Sequence, residues 1–540
     1  MHYLYAKIRF CLHIPDICSK FAADLILNRM KKHFSLVVML FVALGMMAEA
    51  HITISDPKNW SSSELQPYVG QTVIFDSPLV ICVNTNSSSL IVAPWRHFVP
   101  ENQGVVGSAE YNQAVRANGC SISLSGMPSP SGEPSYRCGE KVYNLKAKVN
   151  STTSLTWVSG DWVGNKRTDL QASLPDLGDY RLLVCGFNLE NYFITTGSMG
   201  AKTETARQKQ RTKVSKALKQ INADLFGLVE LQQGDEALTE IVADLNSNIP
   251  GRNYQFFSGD KSGTFQKVDF VYDANKLKPI GTPVGSDVEV QNRKKMQCFV
   301  EIATGERFIY SINHFKAMNT GGADRRANES RAVVSLYNSY SKNPNIKDRD
   351  VLIMGDLNSY GKADPILVFL KNGMYDLHRA FHADSSYSYM YSNLASYIDH
   401  ALVNGSMYPQ ITGMAGYHIN SDEDDAYTYD KSSDNTMFRC SDHDPVLVGL
   451  KLDSTLLYDP TPQINTYNIL TGESDKLVIT NAVTSEQVSY YAIYDINGRL
   501  LVRKEIESEM YEGDLPQTPG VYIVYIYYNG QVYQRRMIVR

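Results

Sequence analysis

The sequence predicts an α+β protein in which a mixed α/β segment is framed by two β-rich ones. Three observations carry that reading. Residues 51–176 hold short strands such as "QTVIFDSPLVICV", "SLIVAP" and "KVYNLKAKV", broken by Asn, Ser, Pro and Gly clusters and showing little helical periodicity. This is the pattern of a small β-barrel or sandwich. Residues 177–453 alternate apolar strands with stretches of helical period, as mixed α/β domains do. After a linker at 454–466 that contains "YDPTPQ", residues 467–540 return to strands, with hairpin turns at Asn497-Gly498 and Asn529-Gly530.

Hydrophobic residues make up 43% and charged residues 20% of the 540, values that exclude wholesale disorder. The 34 tyrosines fit a strand-rich chain. A net charge of −5 excludes the global basic footprint of a stoichiometric nucleic-acid binder. An anionic substrate has to be met by a local site or by a metal.

At the amino terminus, Met30-Lys31-Lys32, the apolar run Phe34–Met47 and the stretch Ala48-Glu49-Ala50 have the three parts of a secretory signal peptide. The signal is expected over residues 30–50, with cleavage after Ala50. Residues 1–29 do not fit a charged n-region, so translation is expected to start at Met30. The 14-residue apolar run falls short of the roughly 20 needed to span a bilayer, and no stable membrane insertion is expected once it is removed. Loss of residues 1–50 takes six Lys/Arg and three Asp/Glu with it and moves the charge from −5 to −8. Cys82, Cys120, Cys138, Cys185, Cys298 and Cys440 remain, with no CxxC spacing that would suggest zinc. Export permits disulfides. Cys120 and Cys138, flanking "SGMPSPSGEPS", are the expected pair, and Cys185 inside an apolar strand reads as a buried thiol.

The central segment opens with the strand "YRLLVCGFNLENYF", followed by a cationic amphipathic helix over Thr205–Ile221, the strand "LFGLVEL" and the helix "DEALTEIVADLNS". A hairpin, "QCFVEIATGERFIYSINHF", turns at Thr304-Gly305, and a helix near Ala323–Tyr340 leads to Val351–Met354. That short apolar run reads as a fully buried strand, and it ends in Gly355-Asp356-Leu357-Asn358. Several strands end in the same way: Asn188, Glu230, His314, Asp356 with Asn358, Asp399, and Asp442 with His443 all stand at strand termini. Any one of them reads as a turn or cap. Together they form a constellation, because open α/β folds bind ligands beyond strand ends.

The residue types have chemical sense. Carboxylate and amide oxygens suit a hard octahedral cation, Mg²⁺ or Mn²⁺, that shares its shell with phosphate oxygens and water. Histidines move protons near neutral pH. With no recognisable nucleophile elbow in the segment, the set points to metal-assisted hydrolysis of a phosphoester.

In order, "GFNLENYF", "LFGLVELQ", "INHFKA", "GDLNSY", "YIDHAL" and "SDHDPVLVGL" resemble the motifs of the endonuclease/exonuclease/phosphatase superfamily, the fold of pancreatic-type deoxyribonuclease. The resemblance covers about residues 179–451 and implies a four-layer α-β-β-α sandwich. "GYHINSDEDDAYTYD", Gly416–Asp430, resembles a stretch of large bacterial extracellular nucleases and turns the expected substrate toward nucleic acid, away from lipid head groups. Residues 51–176 are similar to the small β-barrel (OB-like) domain that precedes some secreted nuclease units. "YDINGRLL", "LPQTPGVYIVYI" and "YQRRMIVR" resemble the carboxy-terminal sorting domain of the Bacteroidetes type IX secretion route, and a C-terminal β-sandwich is expected there.

By this resemblance Asp356 orients or deprotonates the attacking water and Asn358 holds the scissile phosphate. Asn188 and Glu230 hold the metal with Asp442 beside it, Asp399 orients His443, and His443 and His314 form an acid–base pair. One departure stands out. The nuclease branch carries a carboxylate just ahead of "VDFVYD", where this chain has Gln266-Lys267, which leaves the partner of His314 open. Lys316, Arg325, Arg326 and Arg331 are candidates for phosphate contacts, although Arg326 and Arg331 also begin a helix and read equally as solvated. The acidic run Asp422 to Asp425 reads as a solvated loop, with Ca²⁺ binding as the alternative.

The expected function is a secreted or cell-surface, divalent-metal-dependent nuclease that cleaves DNA, or RNA, with low sequence specificity. The expected partners are nucleic acid as substrate and the type IX export machinery across both membranes, and the expected state is a monomer. Two readings compete: a phosphatase or sphingomyelinase-like phosphodiesterase of the same superfamily, and a non-catalytic surface adhesin. The full set of polar positions argues against the adhesin.

Overall fold

The computed structural model describes residues 49–539 apart from 85–88, 165, 198, 319–321, 347, 383–384, 454–462, 468–475, 481–488, 507–509, 515, 517, 519 and 529–530. The expected start region 1–29, the signal peptide except its last two residues, most of the linker and the Asn529-Gly530 turn lie outside the described residues.

Seven strands build the first segment: β1 (Ala50–Ile52), β2 (Thr72–Phe75), β3 (Leu79–Asn84), β4 (Ser89–Ala93), β5 (Ile122–Ser125), β6 (Lys141–Ser151) and β7 (Ser154–Val163). β3 pairs with β4, β4 with β5, β5 with β7 in parallel, and the long β6 with both β7 and β3, so five strands close on themselves. Val142, Leu145, Ala147 and Val149 of β6 face the enclosed core with Phe75, Ile81, Val92, Leu124 and Leu155. The period of two slips once along β6, where a bulge at left-handed Asn144 (φ 49°) re-aims the inward face. Cys120 and Cys138 do not pair as expected: both are thiols. The ladders hold the ends of their loop without a covalent tie, with Cys120 in the core and Cys138 N–H donating to Asp422 O at 3.2 Å.

The central segment stacks two six-stranded sheets. The first contains β8 (Leu182–Tyr192), β9 (Leu225–Gln232), β10 (Tyr254–Phe256), β11 (Gln266–Asp273), β20 (Ile411–Gly416) and β21 (Val446–Leu450), in the order β10-β11-β9-β8-β21-β20. The second contains β12 (Leu277–Gly285), β13 (Lys294–Glu301), β14 (Arg307–His314), β15 (Val351–Asp356), β16 (Met374–Asp376) and β19 (Asp399–Asn404), in the order β12-β13-β14-β15-β19-β16. A small hairpin of β17 (Tyr389–Tyr391) and β18 (Leu394–Ser396) stands apart from both.

Alternation along the strands explains the layering. Leu182 and Val184 of β8 meet Leu352 and Met354 of β15 in the core between the sheets. Leu183, Cys185 and Phe187 point outward and are covered by Val214 and Leu218 of helix Glu204–Ile221 and Leu238 and Ile241 of helix Glu236–Asn248. On the other side Val351 and Ile353 pack under Val333 of helix Ala323–Tyr340 and Ile366 of helix Asp364–Lys371. Central strands are therefore covered on both faces and read as unbroken apolar runs. In the last segment, Leu477 and Ile479 of a three-stranded sheet pack with Tyr491, Ile493, Val524 and Ile526 of a four-stranded one. Among the described residues no helix is long and apolar enough to cross a membrane.

Half of the acidic run is not solvated, while Asp424 is half-buried and Asp425 exposed. Asp422 and Glu423 are buried against arginines of the first segment: Arg96 meets Asp422 at 2.5 Å, Arg137 meets Glu423 at 2.7 Å, and Arg167 also bonds Glu423. Asp424 caps a short turn through Ala426 N at 2.7 Å, and Asp425 pairs with Arg439 at 2.5 Å. Arginines partner Asp422, Glu423 and the exposed Asp425, where Ca²⁺ was the alternative. Sequence reading missed this because a run of like charges looks solvated until its counter-charges, here hundreds of residues distant along the chain, are brought in by tertiary contact.

Candidate active site

Strand register brings the polar ends together. β14 and β15 run parallel with His314 beside Asp356, and β15 and β19 run antiparallel with Asp356 beside Asp399, so the three stand abreast on one sheet. The opposite sheet delivers Asn188 from β8 and Glu230 from β9. Gly355 makes the close approach possible: its φ is +124°, and a Cβ there would lie 2.0 Å from Asn313 O. This explains why the apolar run breaks at Gly355 just before the aspartate.

Asp356 sits at the centre, 2% exposed. Its Oδ1 accepts Asn358 N–H at 2.8 Å, and Asn358 adopts the left-handed conformation (φ 45°) that asparagine tolerates. Its Oδ2 accepts from Asn358 Nδ2 and Asn188 Nδ2, each at 3.2 Å, and faces His314 Nε2 at 3.6 Å and His443 Nε2 at 3.9 Å. Asn358 Nδ2 also donates to Phe315 O at 3.1 Å. Burial pushes the Asp356 carboxyl up to about 8, with Asp399 and Glu230 adding to the rise and His443 opposing it.

The two histidines differ. His443 Nδ1 lies 2.8 Å from Asp399 Oδ2, which also accepts Ser388 Oγ–H at 2.7 Å, while His443 Nε2 lies 3.9 Å from Asp442 Oδ1. Burial alone would lower its pKa, but Asp399, Asp442 and Asp356 outweigh it and raise His443 well above the usual histidine range. His314 goes the other way: burial, then Arg293 and His443, hold it well below that range. Its Nε2 lies 3.5 Å from Glu230 Oε1, and its buried Nδ1 has no hydrogen-bond partner among the described residues. The question left by Gln266-Lys267 is thus answered: Lys267 turns to Asp260 and Asp269 at 2.7 and 2.9 Å and Gln266 to Asn191 at 2.5 Å, and the carboxylates beside His314 are Glu230 and Asp356.

Ligand atoms of Glu230, His314 and Asp356 all lie within 4.8 Å of one another. Glu230 is raised by burial and by Asp442, a sign of carboxylates crowded with too little positive charge between them. Both observations fit a divalent cation. Of the expected metal set, Glu230 lies in this cluster and Asp442 borders it. Asn188 turns Nδ2 toward Asp356 while its Oδ1 accepts Glu190 N–H at 3.0 Å. Sequence reading missed Glu190, where burial and then Asp442 push the carboxyl up to about 8. It also missed Arg293, whose charge is felt by Glu230 and Asp356. An acid two residues past Asn188, inside a strand end, was the available signal for Glu190, while Arg293 gave none.

The phosphate-contact candidates divide. Lys316 is half-buried beside the site, its backbone N–H held by Glu329 Oε2 at 2.9 Å. Arg326 is buried near Glu329 and Tyr360, and Arg325 is exposed, 3.5 Å from Glu289. Arg331 is exposed, bonds Asn328 at 2.6 Å and lines a separate surface groove with Asn338 and Lys342.

A sandwich whose strand ends gather carboxylates, amides and two histidines has the donor set that hydrolysis of a phosphoester requires. Residues 185–443 match the sequence model of the Endonuclease/Exonuclease/phosphatase family, so this central segment, a little under half of the chain, is similar to that family. No curated protein matches the chain. Among solved structures, an endonuclease/exonuclease/phosphatase family protein from Bacteroides thetaiotaomicron is similar over 50% of this chain and 97% of its own, at 19% identity and a TM-score of 0.37. A mannosyl-6-phosphatase of the same organism is similar over 50% and 100%, at 18% identity and a TM-score of 0.36. TDP2 of D. rerio, complexed with a single-strand DNA product, is similar over 50% and 99%, at 13% identity and a TM-score of 0.37.

Proposed function

We propose that the protein is a secreted or cell-surface nuclease, dependent on Mg²⁺ or Mn²⁺, that hydrolyses phosphodiester bonds of DNA or RNA with low sequence specificity. The observation that carries this reading is the pair of histidines facing one Asp356 oxygen, at 3.6 Å for His314 and 3.9 Å for His443, with only His443 backed by a carboxylate, Asp399, at its Nδ1. A phosphodiester needs both an activated water and a protonated leaving oxygen, and this arrangement supplies an acceptor and a donor across one centre. His443, charged and aligned by Asp399, donates from Nε2 to the leaving oxygen. Asp356 orients the water, and neutral His314 accepts a proton or hydrogen-bonds the phosphate. Asn358 and Asn188 face the same oxygen of Asp356 and present amide donors toward the phosphate. Glu230 would hold the cation, with Asp442 alongside. When bound, the cation supplies charge neutralisation for the phosphate and its transition state.

The resemblance of residues 467–540 to sorting domains supports reading that flank as a non-catalytic part of an exported monomer, and residues 51–176 are similar to the OB-like modules that precede some secreted nuclease units. The test is hydrolysis by the chain lacking residues 1–50 of plasmid, linear DNA, RNA, a phosphomonoester and sphingomyelin, with and without chelator. Metal-dependent cleavage of nucleic acid is the expected result. Turnover confined to the monoester or the lipid, or hydrolysis insensitive to chelator, would replace this reading.

A further inference from the structure

We propose that the amino-terminal segment is a working part of the catalytic centre: it completes the β17–β18 hairpin, and through Ser388 and Tyr389 that hairpin holds Asp399 and His443 in line. This rests on the hydrolytic reading of the site and assigns positioning residues outside the stretches on which the resemblance was drawn.

The hairpin is too small to stand alone. Each strand has three residues, and an isolated two-stranded ribbon is marginal in water without a third strand or a packed face. The amino-terminal segment supplies both. Val99 N–H donates to Ala395 O at 2.9 Å and Ala395 N–H donates to His97 O at 2.9 Å, a strand-like addition along β18. Phe98, Tyr387 and Ala395 form a buried cluster with Trp95 packed on it. Arg96 seals the contact: its guanidinium lies 3.8 Å from the centre of the Tyr387 ring and 2.5 Å from Asp422, which also accepts Tyr387 Oη–H at 2.7 Å. Asn102 Nδ2 donates to Tyr397 O at 3.3 Å, just past β18.

The other edge of the hairpin touches the catalytic pair. Ser388 is fully buried and donates to Asp399 Oδ2, the same oxygen that faces His443 Nδ1. Tyr389 bridges to His443 along the backbone, and the two rings lie 4.6 Å apart. Asp444 N–H donates to Ser388 O at 2.7 Å, which fixes the chain just past His443. The Tyr387 ring stacks at 3.7 Å on His418, whose Nδ1 lies 2.9 Å from Asp444 Oδ2. A carboxylate with one donor can swing about its Cβ bond. With Ser388 on the same oxygen, Asp399 has a single orientation to offer, and small displacements of a catalytic group are costly.

The test uses the chain lacking residues 1–50, with three lesions: Ser388→Ala, the paired Arg96→Gln/Asp422→Asn, which leaves no uncompensated buried charge, and the milder Asn102→Ala. Ser388→Thr is the conservative rescue. On a phosphodiester, Ser388→Ala and the paired variant should lose about 10- to 100-fold in kcat with KM little changed, Ser388→Thr should retain most activity, and Ser388→Ala/Asp399→Asn should be no worse than Asp399→Asn alone. Independently of any substrate, the downfield proton resonance of His443 Nδ1–H, assigned by its loss in His443→Ala, should exchange with water faster in the lesions than in the parent, by about tenfold for the paired variant and for Ser388→Ala. Melting curves identify a variant that has unfolded, in which case Asn102→Ala carries the comparison. An unchanged exchange rate in the folded lesions, or no such resonance in the parent, overturns the proposal. A parent that shows the resonance and its loss but hydrolyses no phosphodiester overturns the function proposed above and leaves the positioning intact.

Discussion

Asp356 Oδ2 has two amides at 3.2 Å and two histidines within 4 Å, and these neighbours assign different consequences to different residues. Asp356 and His443 act on charge that appears only as the bond breaks, so their loss should fall on kcat more than on KM. Asp356→Ala and His443→Ala are each expected to cost about 10²–10⁴-fold in kcat. The melting temperature should hold or rise in Asp356→Ala, which removes a buried carboxyl from crowded charge, and fall in His443→Ala, which leaves Asp399 without its partner. Glu230→Ala should behave otherwise, raising the Mg²⁺ or Mn²⁺ concentration needed for half-maximal activity and recovering in part at high metal. Metal titrations of the three variants check this. Near-parental turnover by Asp356→Ala would remove the aspartate from the mechanism, and a Glu230→Ala titration curve that overlays the parent's would remove Glu230 from the metal.

At the scale of elements, β6 and the turn before it show how the first segment stores a cost. Glu140 Oε2 accepts Arg137 N–H at 2.9 Å and Trp162 Nε1–H at 2.6 Å, while its buried Oε1 has no partner among the described residues. Burial, only partly offset by those donors and the Arg137 charge, pushes the carboxyl from 4.5 up to about 7. A raised folded pKa means that the folded state binds more protons than the unfolded chain between pH 4.5 and about 7, so this group's contribution falls as pH rises through that window. Glu140→Gln keeps an acceptor and removes the titration. Denaturant unfolding of the first segment should show the variant gaining about 1–3 kcal/mol on the parent between pH 4.5 and 7.5. A stability difference that stays constant with pH would mean that Glu140 titrates normally.

Across the whole molecule, the arginines that bind Asp422 and Glu423 tie the first segment to the catalytic one through pairs that are buried on both sides. Breaking one half of such a pair leaves a buried charge and costs more than the pair contributes, which favours a fixed orientation over a tethered, independent module. The last segment has its own small core and is proposed to serve as an export address. Mass spectrometry of the exported protein is therefore expected to find a mature amino terminus at His51 and loss of the β tail at a point beyond Asp453. A secreted species that begins at Met1 would refute the processing scheme.

Short-range pattern was enough to read the strand ends that carry Asn188, Glu230, His314, Asp356, Asn358, Asp399, Asp442 and His443, because apolar runs covered on both faces and broken by Gly or Asp are a local signal. The same pattern gave a mixed α/β segment, while the stacking of two sheets was implied only by the resemblance of the motifs. It could not show that His314 lies between Glu230 and Asp356 while Lys267 turns away, because that depends on the pairing of β9 with β11 and of β14 with β15. Nor could it show that Cys120 and Cys138 stay apart, or that half of an acidic run is buried. Asp422 is 326 residues from Arg96, and the sign of a buried charge's contribution depends on what stands opposite it. Local sequence therefore determined which polar groups stand at the strand ends. The tertiary structure alone decided in which direction each group's protonation is pushed and which groups are held in place, because burial and partner distance set both.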